Sequence, residues 1–178
     1  MRIVIIGAGA LGRVVAEIIA RTGEDELAGF VDDSSSLADE VNGVPVLGDS
    51  GTLAALAARG SADAAVVALG QGPLRLVKGQ VALAAGLKLP VICDSSAIVS
   101  PTAFIEEGAI ISPLVVIGPG ARIGRLAIIG SGSVIEHDAL VEEGCYVGPR
   151  CLVDARAHLA AGARLTGGAV IAQDCCWH

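Results

Sequence analysis

Aromatic residues are scarce in this sequence: one Trp, one Tyr and two Phe, or 2% of the chain. Hydrophobic residues still make up 53% of it, and there are 24 Gly. Small aliphatic side chains must therefore supply the hydrophobic core, which excludes a core built on bulky rings. This composition favours thin, repeated layers of Ile, Val, Leu and Ala.

Positive charge is also scarce, with 12 Lys and Arg against 19 Asp and Glu and a formal net charge of −7. A nucleic-acid partner would need a basic face to neutralise phosphates, so we predict none. Long apolar runs are missing too, since no segment approaches the roughly 18 apolar residues of a membrane span. Glycines interrupt the apolar N-terminus, and we expect neither a signal peptide nor a membrane span.

The chain has five cysteines, and an odd number does not fit a framework in which every cysteine is paired in a disulfide. They are Cys93, Cys145, Cys151, Cys175 and Cys176. We interpret them as reduced thiols and predict a cytoplasmic protein. Cys175 and Cys176 with His178 are too few ligands for a closed metal site, and no metal is expected.

A period of six residues organises the second half of the chain. Every sixth residue from Val99 onward is Ile, Val or Leu, and the fifth residue of each block is never larger than Val. The aliphatic positions are Val99, Ile105, Ile111, Ile117, Ile123, Ile129, Ile135, Val141, Val147, Val153, Leu159, Leu165 and Ile171. A fixed hexapeptide period indicates a parallel β-helix with one short strand per block. We predict this fold for residues 94–178.

The chain begins with the pattern of a nucleotide-binding βαβ unit. A buried strand, Arg2–Ile6, precedes a G-x-G-x-x-G segment over residues 7–12, then a helix, then a strand that ends in Asp32 and Asp33. Glycines let backbone N–H groups approach phosphate, and an acid after the second strand can bind ribose hydroxyls. The alternative is a βαβ turn that only packs.

Strands and helices keep alternating through residue 93, which predicts a parallel sheet with covered faces. We expect a short strand with a turn over residues 44–49, a helix over 52–59, a strand over 64–69, a helix over 73–85 and a last strand over 89–93. Residues 1–93 therefore make half of a dinucleotide-binding fold, and we predict a nucleotide site of matching size. Its expected residues are Gly7, Gly9, Asp32 and Asp33, with Gly70 and Arg75 close by.

The two halves together resemble the family of sialic-acid O-acetyltransferases and UDP-bacillosamine N-acetyltransferases. The resemblance covers nearly the whole chain and rests on Gly7–Gly9, Gly29–Asp33, Gly43–Asp49 and Ile135–Leu140. It implies a left-handed β-helix with three hexapeptides per coil, so that thirteen blocks make a little over four coils. It further implies a nucleotide-linked sugar bound by the first domain, and a homotrimer. It also implies acetyl-CoA as acyl donor, lying along the β-helix between neighbouring subunits.

His137 is the candidate general base. It sits near a corner of its hexapeptide, and acylation of an amine needs a base with a pKa near the working pH. Asp138 or Glu136 could orient the ring and stabilise the imidazolium. The residue alone favours a surface histidine on a turn, whereas the resemblance identifies His137 as the base.

Two further positions follow from the resemblance. A second histidine nine residues after the base contacts the acetyl group in the family, and Tyr146 stands at that place. A backbone N–H one coil beyond His137, near Ala155, is expected to stabilise the thioester oxygen.

The sequence thus supports three functions of different classes. The first is an acetyl-CoA-dependent acyltransferase acting on the amine or hydroxyl of a nucleotide-linked sugar. The second is a non-catalytic, trimeric nucleotide-binding scaffold, suggested by Tyr146 and by a chain that stops earlier than typical members. The third is an NAD-dependent enzyme, suggested by the complete glycine motif.

Overall fold

The computed structural model describes residues 1–34 and 39–178. It divides into two compact units, Met1–Pro90 and Val91–His178. The first is an α/β unit and the second is built from short parallel strands, and each is described by itself below.

The first unit is a three-stranded parallel sheet with helices. Its elements are β1 (Arg2–Ile6), α1 (Ala10–Thr22), β2 (Glu26–Val31), β3 (Glu40–Val41), β4 (Val44–Pro45), a 3₁₀ turn (Ser50–Thr52), α2 (Leu53–Ala58), β5 (Ala64–Val67) and α3 (Gly72–Ala84). The strand order is β2-β1-β5, and both pairs are parallel. Because β1 is central and fully apolar from Ile3 onward, it is buried on both faces. The carboxyl ends of all three strands meet at one edge, where ligands bind in such sheets.

A small hairpin joins the sheet differently from what the sequence predicts. We expected residues 44–49 to form a short strand and a turn. The structure has β3 and β4 paired around Asn42 and Gly43, whose φ angles are 52° and 76°. Left-handed conformation at both central residues is the type I′ turn that Asn-Gly favours. Val46 then makes one parallel bridge to Phe30 of β2.

The second unit is a parallel β-helix of two-residue strands. They are β6 (Ile92–Cys93), β7 (Ile98–Val99), β8 (Phe104–Ile105), β9 (Ile110–Ile111), β10 (Val116–Ile117), β11 (Arg122–Ile123), β12 (Ile128–Ile129), β13 (Val134–Ile135), β14 (Leu140–Val141), β15 (Tyr146–Val147), β16 (Leu152–Val153), β17 (His158–Leu159), β18 (Arg164–Leu165), β19 (Val170–Ile171) and β20 (Cys176–Trp177). Each strand pairs with the third strand after it, which gives three sheets of five strands. One coil therefore takes three hexapeptides, and the unit has five coils.

The predicted fold class, an α/β region followed by a parallel β-helix, is confirmed. From Ile111 to Ile171 the aliphatic residue of every block is at most 5% exposed and belongs to one core cluster. The residue before it in each strand faces outward, as the pleat requires.

The prediction for the start of the β-helix was wrong. We expected residues 89–93 to form the last strand of the α/β sheet, but β6 pairs with β9 inside the first coil. The α/β sheet gains only a bridge between Lys88 and Ala64 instead. A short apolar run fits a sheet strand and a β-helix strand equally well, because both bury aliphatic side chains. The missed strand is one reason why five coils are present where we expected little more than four.

Every corner from residue 108 to residue 174 contains one left-handed residue. These residues recur every six positions, with φ between 54° and 79°. Half of them are Gly; the others are Leu114, Leu126, Asp138, Arg150, Arg156 and Asp174. Left-handed backbone is costly for most residues and is best tolerated by Gly, Asn and Asp. The buried aliphatic layers must offset this cost at the non-glycine corners.

Candidate active site

His137 and Asp138 are the two central residues of the turn between β13 and β14. The turn is closed by a hydrogen bond of 3.3 Å from the Ala139 N–H to the Glu136 carbonyl. Neighbouring side chains on a strand point to opposite faces, but Asp138 is left-handed, with φ of 59°. The corner thereby brings the Nδ1 atom of His137 within 2.8 Å of Oδ2 of Asp138.

This contact decides which ring nitrogen can act as a base. A neutral imidazole that donates from Nδ1 to a carboxylate carries its lone pair on Nε2. The side chains of His137 and Asp138 are 47% and 61% exposed, so the pair is accessible. The arrangement suits proton abstraction at Nε2, with the Asp138 carboxylate orienting the ring and stabilising its protonated form.

The backbone of this turn is held between two other coils. The Asp138 N–H donates to the Pro119 carbonyl at 2.9 Å, and the Arg156 N–H donates to the His137 carbonyl at 3.1 Å. A Cβ atom added to Gly118 would lie 2.7 Å from the His137 backbone nitrogen, and one added to Gly120 would collide with the Asp138 carboxylate. The position of His137 thus depends on two glycines in the preceding coil.

Charged residues occupy the same corner one and two coils beyond Asp138. The guanidinium of Arg156 donates to both carboxylate oxygens of Asp174, at 2.7 and 2.8 Å. This hydrogen bonding raises the pKa of Arg156, with smaller contributions from the charges of Asp174, Asp138 and Asp154. Asp174 therefore takes up the guanidinium donors, while Asp138 keeps its contact with His137.

The predicted oxyanion donor already has a partner. Ala155 does lie one coil beyond His137, in the turn that stacks on it. Its N–H donates to Oδ1 of Asp154 at 2.7 Å. A thioester oxygen could use this donor only if the Asp154 carboxylate turned away, so the role of Ala155 stays a prediction.

His137 and Tyr146 are not brought together within one chain. Tyr146 begins β15, which lies in the sheet formed by β6, β9, β12, β15 and β18. His137 lies at the corner between the other two sheets, opposite that face of the triangular coil. The guanidinium carbon of Arg164 lies 4.3 Å from the centre of the Tyr146 ring, a cation–π contact that holds the ring against its own sheet.

In the α/β unit, Asp32 fastens the glycine loop to the sheet. Its Oδ2 atom accepts a hydrogen bond of 2.8 Å from the Ala8 N–H, and the Gly7 N–H donates to the Val31 carbonyl at 2.8 Å. Gly9 is the N-cap of α1 and makes no side-chain cap. The structure therefore brings Gly7, Gly9 and Asp32 together, with Asp32 bound to the loop itself. We had expected the Asp32 carboxylate to bind the ribose hydroxyls of a nucleotide instead.

Asp33 lies beside residues that sequence reasoning missed. Its carboxylate forms an ion pair with Lys78 of α3 and accepts a hydrogen bond of 2.8 Å from the Ser50 N–H. The Lys78 hydrogen bond, followed by the bonds from Ser50, lowers the pKa of Asp33 to about 2. Lys78 is 45 residues away from Asp33 in the sequence, and nothing in the sequence around Lys78 indicates that the two residues pair.

Gly70 lies next to the glycine loop, whereas Arg75 lies in the protein interior. Gly70 follows the Ala68–Leu69 segment, which packs on the glycine loop, since a Cβ on Gly7 would lie 2.8 Å from the Ala68 carbonyl oxygen. Arg75 is fully buried, and its Nη1 atom donates to the Leu69 carbonyl. We expected Arg75 close to a ligand; the structure instead places its guanidinium beneath the loop that carries Gly70, where it supports the backbone.

Two features are absent from residues 1–34 and 39–178. In these residues no group of three or more His, Cys, Asp or Glu side chains is placed to hold a metal ion. Nor does this part of the chain contain a helix that combines the length and the apolar character needed to cross a membrane.

Comparisons with protein families match both units. The model of the PglD N-terminal domain matches residues 2–77. The model of the bacterial transferase hexapeptide, described as six repeats, matches residues 102–137. A comparison with curated protein sequences finds no match.

Solved structures resemble the chain over nearly its whole length. The acetyltransferase domain of PglB from Neisseria gonorrhoeae FA1090, in complex with acetyl coenzyme A, is 28% identical, with a TM-score of 0.88 over 98% of this chain and 83% of that one. PerB from Caulobacter crescentus, in complex with CoA and GDP-perosamine, is 29% identical, with a TM-score of 0.83 over 99% of this chain and 91% of that one. WeeI from Acinetobacter baumannii AYE, at 20% identity and a TM-score of 0.86 over 97% of this chain and 81% of that one, shows the same fold.

An α/β unit with a glycine loop, followed by a hexapeptide β-helix with an exposed His–Asp turn, defines the class of hexapeptide-repeat sugar acyltransferases. Within this class, the family matches and the two structures at 28% and 29% identity point to sugar acetyltransferases. The chain thus combines a unit that matches the PglD N-terminal domain with hexapeptide repeats of bacterial transferases, which agrees with the family resemblance found in its sequence motifs.

Proposed function

We propose that this protein transfers the acetyl group of acetyl-CoA to the amine of a nucleotide-linked amino sugar, with His137 as general base. The observation that carries the proposal is the contact of 2.8 Å between His137 and Asp138 on an exposed turn. The related PglB domain and PerB, with acetyl-CoA in one case and CoA with GDP-perosamine in the other, support this donor and this class of acceptor. An acceptor hydroxyl would use the same base.

The proposed chemistry needs one base and one proton. The substrate nitrogen attacks the thioester carbonyl carbon while Nε2 of His137 takes a proton from the nitrogen. Asp138 stabilises the resulting imidazolium through Nδ1. The tetrahedral intermediate then expels the CoA thiolate, which receives the proton, so that the products are the N-acetyl sugar and free CoA.

The nucleotide part of the acceptor is assigned to the edge of the α/β sheet. Gly7 and Gly9 leave room for backbone N–H groups to approach phosphate, and Asp32 fixes their loop. Asp33, with its lowered pKa, stays ionised at working pH and is partly exposed beside Ser50. Gly70 belongs to the adjoining loop.

The proposal is tested directly by an acetylation assay. Purified protein is incubated with acetyl-CoA and a panel of UDP- and GDP-linked amino sugars, GDP-perosamine among them, and release of the CoA thiol is followed. Acetylation of at least one sugar is expected. Nucleotide-sugar binding without turnover would favour the non-catalytic alternative, and stabilisation by NAD alone would favour the dehydrogenase alternative.

We also propose that the protein is a cytoplasmic homotrimer. One outer face of the β-helix is an aliphatic row: Ile98, Val116, Val134, Leu152 and Val170. Its end members, Ile98 and Val170, are 68% and 66% exposed. An apolar row of this length favours burial against a second copy. The row borders the His137 corner, so a neighbouring copy packed there could supply Tyr146. All five cysteines are free thiols, which suits a reducing compartment.

Light scattering tests the assembly. At micromolar concentration we expect three times the mass of one chain. Val134→Lys, which places a charge in the middle of the aliphatic row, should reduce the mass to that of one chain and remove acetyltransferase activity. A native protein that scatters as a monomer would remove the shared site and contradict the proposed function.

Asp32→Ala tests the nucleotide site. Loss of the carboxylate leaves the Ala8 N–H without its partner and loosens the glycine loop. The Kd for the nucleotide sugar should therefore rise roughly tenfold, while the affinity for acetyl-CoA stays unchanged in calorimetry. Asp63→Ala is the matched control, because Asp63 accepts a backbone N–H of β1 at 2.8 Å at the opposite end of that strand. Equal weakening by both variants would show a general defect of the sheet and contradict the assignment.

A further inference from the structure

A second histidine–carboxylate pair lies on another part of the β-helix and includes a thiol. His158 and Cys176 begin the paired strands β17 and β20 and are cross-strand neighbours on the outer face. The Nε2 atom of His158 lies 2.7 Å from Oε1 of Glu142. Its Nδ1 atom lies 4.0 Å from Sγ of Cys176. Glu142, His158 and Cys176 thus form a line from carboxylate to imidazole to thiol, which we call the thiol cluster.

The carboxylate of the thiol cluster is fixed and ionised. Oε2 of Glu142 accepts a hydrogen bond of 2.8 Å from the Ala161 N–H, while Oε1 contacts His158. The hydrogen bond from His158, followed by the one from Ala161, lowers the pKa of Glu142. A neutral His158 therefore donates from Nε2 to Glu142 and turns the lone pair of Nδ1 toward the thiol. This is the order of groups that activates a cysteine nucleophile.

The other cysteines have different surroundings. Cys145 and Cys151 are buried. Burial, and next the charge of Asp94, raises the pKa of the Cys93 thiol, which makes it less reactive. Cys175 is exposed like Cys176 and is its direct neighbour in the chain, so it serves as an internal reference.

We propose that Cys176, with His158 as base and Glu142 as orienting carboxylate, is a nucleophilic thiol site that accepts an acyl group from a small thioester. His158 Nδ1 takes the thiol proton, and Sγ attacks the thioester carbonyl carbon. The leaving thiolate then departs and takes the proton from the imidazolium. One thioester is exchanged for another, so the step needs no oxidant or reductant. It uses none of the residues assigned to sugar acetylation and does not depend on that function.

Alkylation tests the activation of the thiol. In Cys175→Ser protein, Cys176 is the exposed thiol that remains of the pair; in Cys176→Ser protein, Cys175 remains. At pH 7 we expect iodoacetamide to label Cys176 about three- to tenfold faster than Cys175, because the His158 ring lies beside the Cys176 thiol and can take its proton as sulfur reacts. Peptide mass spectrometry assigns the label. His158→Gln and Glu142→Gln should each slow the labelling of Cys176 and leave that of Cys175 unchanged.

Acyl transfer tests the substrate class. The acetyl thioester of N-acetylcysteamine, which lacks the nucleotide of CoA, should add an acetyl group to Cys176 faster than to Cys175, and hydroxylamine should remove it. Comparing the two thiols needs no substitution within the His–Glu pair, so it holds even if those variants unfold. Equal reaction of the two thiols, or an unchanged rate in a folded His158→Gln protein, would overturn the proposal. So would rapid alkylation of Cys176 without acetyl transfer.

Discussion

Replacing His137 with Ala should lower kcat about a hundred- to ten-thousand-fold, the usual contribution of general-base catalysis. KM for both substrates should change little, because the ring acts on the proton and not on the binding of sugar or CoA. Raising the pH should restore part of the rate, since a larger fraction of the amine substrate is then unprotonated. Steady-state kinetics at several pH values measure all three effects.

Asp138→Asn is the matched variant for this experiment. Asn tolerates the left-handed backbone that residue 138 adopts, with φ of 59°, so the corner should keep its shape while it loses the negative charge. We expect a smaller fall in kcat than for His137→Ala, because Asp138 orients the imidazole and does not take the substrate proton. Near-normal kcat in a folded, trimeric His137→Ala protein would show that this turn is only surface, and the assignment of the base would be withdrawn.

The β-helix could be predicted because its core repeats a physical requirement. Each coil must bury one aliphatic residue per side, so Ile, Val or Leu recurs every six residues, and no other regular structure has this period. The first strand was missed because Ile92 and Cys93 follow the apolar residues Leu89 and Val91, which also suit an α/β sheet strand. A period is visible only where neighbouring blocks repeat it, and its ends are therefore the least certain part.

Local chemistry was predictable where the partners are close in the sequence. His137 and Asp138 are adjacent, and a corner was expected to bring their side chains together. Asp33 follows β2 and Lys78 lies within α3, and they meet only because the fold packs this helix beside the carboxyl end of that strand, which a pattern along the chain does not record. The same reason explains Glu142 and His158, which are separated by almost one full coil.

Arg75 shows a different limit. An arginine near the start of a helix that follows a glycine loop resembles a phosphate ligand, and a fully buried arginine is rare. Its burial depends on a carbonyl acceptor, that of Leu69, and on how closely α3 packs against β5. Neither feature can be predicted from the sequence around Arg75.

Gly118→Ala should produce the second large effect on catalysis. A Cβ atom at this position would lie 2.7 Å from the His137 backbone nitrogen, too close for carbon and nitrogen, so the next coil must move. Overpacking of this kind costs about 1–3 kcal/mol of stability, and a shift of about 1 Å at a catalytic group can cost roughly a hundredfold in rate. We expect the melting temperature to fall by several degrees and kcat to fall about ten- to a hundredfold, with KM for acetyl-CoA changed less.

Gly130→Ala separates the effect on His137 from the effect on stability. There the added Cβ would lie 2.7 Å from the Gly148 carbonyl carbon, which is the same closeness at a different corner of the β-helix. Both variants should lose similar stability in thermal melts, since both force one coil away from the next. Only Gly118→Ala should lose kcat, because only there does the displaced backbone carry the base. If both variants lose kcat equally, or if a destabilised Gly118→Ala protein turns over at the normal rate, the close packing beneath His137 does not position it for catalysis.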